Sequence, residues 1–166
     1  MPHHRKEKRV AKCIVVTISD TRDVTTDKSG DLIQGYLEEA GHEIIERKII
    51  PDEPCLIQQV IEEGSLRSDI DVILTSGGTG ISRRDVTIET VEEMFDKHII
   101  GFGELFRMLS YTEDIGSAAI MSRASAGIVN DTAVFSMPGS SGAVKLAMKK
   151  LIIPELSHVV FELNKH

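Results

Sequence analysis

Apolar positions along this chain fall into short β-branched runs that alternate with stretches of helical spacing. The first run, CIVVTI at residues 13–18, is apolar at nearly every position, as in a strand buried on both faces of a sheet. Residues 19–29 are polar and read as a loop. Leu32, Ile33, Tyr36, Leu37 and Ala40 then recur at helical spacing, and Gly41 stands where a helix would stop. The unit repeats, with a strand over residues 42–50 closed by Pro51. A helix over 54–63 follows, its apolar face made of Leu56, Ile57, Val60 and Ile61. A third run, 72–75, leads into Ser76, Gly77, Gly78, Thr79 and Gly80. Thr87 then reads as the cap of a helix carrying Ile88, Val91, Met94 and Phe95.

This rhythm predicts an α/β fold, a parallel sheet covered by helices on both faces. A further helix is expected over 101–111. Residues 124–137 break at Asn130 and Asp131 into two apolar runs, which predicts a hairpin and so an antiparallel edge. Two helices, 141–151 and 155–163, divided by Pro154, complete the chain. Residues 10–166 are read as one domain, and the basic stretch 1–9 as a flexible tail.

Composition narrows the partners. The formal net charge of −7 argues against a broad basic surface for nucleic acid. Cys13 and Cys55 lack any CxxC spacing and lie in apolar surroundings, so reduced, buried thiols are expected. The N-terminus lacks the apolar stretch of a secretory signal, and no apolar run reaches membrane-spanning length, so a cytoplasmic protein with no membrane partner is expected.

In open parallel sheets, ligands bind beyond the carboxyl ends of the strands. Four loops qualify: 19–29, 51–53, 76–85 and 138–140. The glycines at 77, 78 and 80 allow positive φ and close approach to a phosphate or a polar ring, or simply a tight turn. No Lys-Ser or Lys-Thr pair follows them, so this is not a Walker A loop; Gly101-Phe102-Gly103 lacks the third glycine of a dinucleotide fingerprint. Asp85, between the glycines and a helix start, can hold a magnesium ion that bridges phosphates, or can merely complement the helix dipole. Asp52 can supply a second ligand or serve as a turn residue after proline. One of Arg83 and Arg84 can clamp a phosphate. Pro138, Gly139 and Ser140 can bind an anion or form a plain N-cap. Glu104 with Arg107 reads as an internal ion pair or a ligand contact. Residues 139–142 do not form a GxSxG elbow, so hydrolase chemistry is not indicated.

Seven ordered segments go further: ISDTR at 18–22, DKSG at 27–30, IPDE at 50–53, TSGGTG at 75–80 with RRDVT at 83–87, GFGELFR at 101–107, SRASAG at 122–127 and MPGS at 137–140. Over nearly the whole chain this set resembles the MoaB/MogA family of molybdenum cofactor biosynthesis proteins, and looks closer to its MoaB branch. The resemblance implies a three-layer α/β/α sandwich with a mostly parallel sheet and an antiparallel edge hairpin, assembled as a homotrimer or homohexamer. It also implies adenylylation of molybdopterin by ATP with Mg2+, releasing pyrophosphate, in company with other enzymes of the pathway. Asp52 and Asp85 match the family's functionally important aspartates, residues 77–80 its ligand-binding loop, and Ser140 a loop of its cleft.

Together with the strand-end loops, this makes Asp52 and Asp85 the expected catalytic residues and magnesium ligands. The expected substrate contacts are Ser19, Asp20, Ser76, Gly77, Gly78, Thr79, Gly80, Arg84, Glu104, Pro138, Gly139 and Ser140. A second reading is a non-catalytic molybdopterin-binding paralogue or scaffold of the same pathway. A third is a simple nucleotide-binding sensor.

Overall fold

Strand β1 (Lys12–Ile18) is buried from Cys13 to Ile18, which accounts for its continuous apolar run. In the computed structural model, which describes residues 9–165, it lies between two parallel neighbours. These are β2 (Glu43–Ile50) and β3 (Val72–Ser76). Beyond β3 come parallel β6 (Thr132–Met137), antiparallel β5 (Ser125–Val129) and the two-residue β4 (Lys97–His98). The sheet order is β2-β1-β3-β6-β5-β4. The expected hairpin is β5–β6, turned by Asn130 and Asp131 at φ 48° and 66°, the left-handed pair that a tight hairpin turn requires. β4, too short to show a period, was not expected.

Alternation along the central strands supplies two cores. Cys13 and Val15 of β1, Val72 and Leu74 of β3, and Phe135 and Met137 of β6 face one layer. That layer contains α1 (Lys28–Glu39), α4 (Ile100–Glu113), α5 (Ser141–Ala147) and α6 (Ile153–Leu163). Ile14, Val16 and Ile18 with Ile73 and Val134 face the other, which contains α2 (Pro54–Ser65) and α3 (Thr87–Met94). The result is the expected α/β/α sandwich. Leu37 and Phe106 are fully buried, and truncating such a side chain to alanine costs about 2–5 kcal/mol.

The structure corrects four local expectations. The first loop ends at Asp27, not residue 29, because the Asp27 carboxylate caps α1 by accepting from the Gly30 N–H. Thr87 is the first residue of α3 and not its cap; its hydroxyl donates instead to the Gly77 carbonyl (3.1 Å). Pro154 does not divide two helices. The chain passes from α5 to α6 through a wide π turn, Met148–Ile152, which accommodates the missing N–H and the proline ring. Cys13 is buried as expected, but Cys55 is exposed in the first turn of α2.

Residues 1–8 of the expected tail lie outside the described residues. Arg9 is tied down, its carbonyl accepting from the Ser157 hydroxyl (2.8 Å) and its guanidinium lying 5.2 Å from the Phe161 ring centre. Among the described residues, no helix is long and apolar enough to cross a membrane.

Candidate functional site

The chain leaves β1 for β2 on one side, while β3 returns on the other. The connections after β1 and β3 therefore lead to opposite layers, α1 in one and α3 in the other. A crevice opens at such a reversal of strand order. All four loops singled out from the sequence meet there. The Ser19 N–H donates to the Ile50 carbonyl (2.8 Å) and the Gly77 N–H to the Met137 carbonyl (3.0 Å), which stitches the strand ends together.

Gly77 (φ +97°) and Gly78 (φ +68°) adopt left-handed backbone that excludes ordinary side chains. At Gly77 a Cβ would run into the Ile18 carbonyl, and at Gly78 it would lie 2.8 Å from Asp52 Oδ1. At Gly80 it would lie 2.6 Å from Asp85 Oδ2. The two aspartates thus border one glycine-rich loop.

Their surroundings differ. Burial pushes Asp52 above the usual carboxylate range, and the negative charges of Asp20 and Asp85 add to it. Asp20 is held below that range, first by hydrogen bonds from Arg84 (2.9 and 3.0 Å) and then by the Asp52 backbone N–H (3.0 Å). Arg84 also reaches Glu53 at 3.3 Å, so this guanidinium braces the loops after β1 and β2. Asp85 Oδ2 accepts from the Ser82 N–H (3.0 Å) and hydroxyl (2.6 Å).

Two hollows flank the strand ends. One, of about 220 Å³, is walled by Ser19, Arg22, Ser29, Ser76 and Ser140. Its hydroxyls and guanidinium suit anionic oxygens. The other, of about 340 Å³, has Gly78, Thr79, Gly80 and Asp85 on one side and Ile115, Met121 and Pro138 on the other. Gly139 borders both. Ser140 caps α5, its Oγ accepting from the Ala143 N–H (3.3 Å), while it lines the first hollow. Glu104 is set apart: exposed on α4, it borders neither hollow. It makes no ion pair with Arg107, which donates to the Ala124 carbonyl (3.4 Å).

Sequence reasoning missed four residues here. Asp27, 2% exposed, accepts from Thr17 (2.8 Å), the Gly30 N–H (3.0 Å) and Arg47 (2.8 Å). Burial opposes its ionisation, but these donors outweigh burial and hold it below the usual range. Ser29 shares a hydrogen bond with Ser76 (2.9 Å). Arg22 donates to the Thr26 carbonyl (2.6 Å) and borders the hydroxyl-lined hollow. Arg123 donates to the carbonyls of Thr79 (3.0 Å) and Gly80 (2.6 Å), behind the glycine-rich loop. All four stand in or beside the segments that carried the resemblance, but nothing local marks their distant partners.

Residues 14–158 match the sequence family described as "Probable molybdopterin binding domain". A Bacillus subtilis relative, "Molybdenum cofactor biosynthesis protein B", is 58% identical over 163 residues, covering 98% of this chain and 96% of its own. The Bacillus cereus protein of the same name is 55% identical with the same coverage. A solved "Molybdenum cofactor biosynthesis protein B" superposes with a TM-score of 0.94 at 55% identity, covering 97% of this chain and 100% of that one. The "tungsten cofactor synthesizing protein MoaB" of Pyrococcus furiosus gives 0.84 at 38%, covering 96% and 100%. A family match of that span, with relatives of more than half identity along nearly the whole chain, makes this protein a member of the molybdopterin-binding-domain family to which the MoaB and MogA proteins belong.

Proposed function

We propose that this protein acts in molybdenum cofactor biosynthesis by transferring an adenylyl group from ATP to molybdopterin. The observation that carries this reading is the convergence of four strand-end loops on one crevice, with Asp52 and Asp85 bordering the same glycine-rich loop. A terminal phosphate oxygen of molybdopterin attacks the α-phosphorus of ATP, and pyrophosphate leaves. No covalent enzyme intermediate is needed; the protein holds two anions in line and shields their charge. The hydroxyl-lined hollow suits phosphate oxygens, and the wider, partly apolar one suits a flat ring.

The donor set fits magnesium. Asp52 is crowded by the charges of Asp20 and Asp85, and a divalent cation would relieve that repulsion. Asp52 and Asp85 would hold it with phosphate oxygens completing the shell, as is usual for magnesium. Among the described residues, no group of three or more metal-binding side chains offers an all-protein cage. When bound, the ion supplies neutralising charge for the departing pyrophosphate. The reading also places the protein in the cytoplasm, where it draws on ATP, and passes substrate and product to other enzymes of the pathway. Leu105, Met108 and Tyr111, exposed on α4 at helical spacing, support assembly with further copies of the chain as a trimer or hexamer.

The test is pyrophosphate release from ATP and magnesium with metal-free molybdopterin. The native chain should release it only when the pterin is present, and Asp85→Asn and Asp52→Asn, folded, should each lose about 100-fold or more. A second reading has its own support. Asp85 Oδ2 is engaged by Ser82, a loop-shaping contact that needs no metal and suits a paralogue that binds pterin without turnover. Retained pterin binding with no release from the native chain would decide for it.

A further inference from the structure

Four consecutive amides of the glycine-rich loop, those of Gly78, Thr79, Gly80 and Ile81, donate to no acceptor among the described residues. Behind the loop stands Arg123, just ahead of β5. Its Nε donates to the Thr79 carbonyl (3.0 Å), and one terminal nitrogen donates to the carbonyls of Gly80 (2.6 Å) and Asp85 (3.4 Å). Glu89 of α3 pairs with both terminal nitrogens and so holds the guanidinium from the far side. One planar fork therefore fixes the peptides 79–80 and 80–81.

Every peptide bond described is trans, and in a trans peptide the N–H points opposite the carbonyl. Carbonyls held on Arg123 turn the N–H groups of Gly80 and Ile81 the other way. Without the fork, Gly80 would lose its main restraint, because glycine rotates its flanking peptides at little steric cost.

We infer that Arg123 is a positioning residue: by holding the Thr79 and Gly80 carbonyls it presents the Gly80 and Ile81 N–H groups to phosphate oxygens of the adenylyl donor. This rests on the reading that the crevice takes a polyphosphate. Consecutive N–H groups turned to the same side, away from Arg123, can serve as donors to an anion. They also offset the repulsion an anion meets from Asp85, whose carboxylate borders Gly80. Lysine cannot replace arginine in this task, since an ammonium lacks the planar fork that spans two carbonyls.

The experiment uses the full chain labelled with nitrogen-15 and titrated with inorganic pyrophosphate in excess magnesium, followed at the individual amides and by calorimetry. In the native chain the Gly80 and Ile81 amide signals should shift as pyrophosphate saturates. In Arg123→Lys the affinity should fall about tenfold, the scale of a lost charge-assisted hydrogen bond, and the two shifts should shrink. Glu89→Gln leaves the guanidinium in place but loosens it, and should cost about threefold; it serves as the test if Arg123→Lys does not fold. Unchanged affinity in the folded variants would overturn the inference. So would pyrophosphate binding that leaves the Gly80 and Ile81 amides unmoved, or no binding at all. Native amides that respond in a chain without pterin-dependent turnover would sink adenylyl transfer and leave the role of Arg123 standing.

Discussion

Asp27 is where folding and site geometry meet, and its substitution can be worked through in some detail. The carboxylate is 2% exposed, caps α1 and accepts from the buried Thr17 hydroxyl. Asp27→Ala removes the cap, at about 1 kcal/mol. It also leaves the hydroxyl of Thr17, a residue 3% exposed, without the acceptor it has in the fold, at about 1–3 kcal/mol. Arg47 adds little to the loss, because it is partly solvated and keeps Asp31 and Gln34 as partners.

The expected cost is about 2–4 kcal/mol, or a melting point lower by roughly 5–15 °C for a chain of this size. Asp27→Asn keeps an oxygen for Thr17 and the Gly30 N–H and should cost only about 1 kcal/mol. Urea unfolding followed by circular dichroism near neutral pH measures both. An asparagine variant as damaged as the alanine one would show that the charge, not the cap and the hydroxyl, is what matters, and the reasoning would fail. The pH dependence follows from the same contacts. Because the folded pKa is lowered, the unfolded chain takes up the proton first. The stabilisation is therefore present above the ordinary carboxylate value and is lost as pH falls through the lower, folded one.

Three further outcomes are expected. Gly77→Ala must adopt φ +97° with its methyl against the Ile18 carbonyl, for a loss of about 2–5 kcal/mol; a urea-derived loss below about 1 kcal/mol would contradict this. His42, buried with its Nδ1 accepting from the Ala11 N–H (2.9 Å), has its pKa lowered from 6.5 by burial. Its share of stability should be intact above 6.5 and decline below it towards the folded pKa, and His42→Gln should flatten that part of the urea-midpoint profile. Burial, helped by the charge of Asp71, pushes the Cys13 thiol up to about 12, while Cys55 is exposed. A thiol reagent should therefore titrate one cysteine in the native chain and both after unfolding, and two fast-reacting native thiols would refute the burial of Cys13.

The parallel core was legible because strands buried on both faces leave continuous apolar runs, as at 13–18 and 72–75. β4 was not, since two residues carry no period and its pairing with β5 is purely tertiary. Pro154 misled because a proline usually ends a helix, whereas here a wide turn absorbs it. At the candidate site, glycines and carboxylates between strands and helices announce themselves by type and place, which is why Asp52, Asp85 and residues 77–80 stood out as candidates that the fold brings together. Arg123 could not, because its carbonyl partners lie 43 and 44 residues away and carbonyls carry no side-chain signature. Ser29 was hidden for a similar reason, its partner Ser76 lying 47 residues along the chain.

The crevice at the reversal of strand order is assembled from segments scattered over most of the sequence, and it exists only when β1, β3 and β6 are aligned side by side. No fragment containing one of its loops can reproduce the crevice that the whole chain assembles. Occupancy and folding are thus thermodynamically linked: a compound that bridges these loops must raise the unfolding free energy, by about 2.7 kcal/mol at a concentration one hundred times its Kd. For a protein of this length that is a rise of roughly 5–10 °C in melting temperature. Unfolding itself becomes a reporter of ligand chemistry, able to rank nucleotides, pterins and phosphates without any assay of turnover.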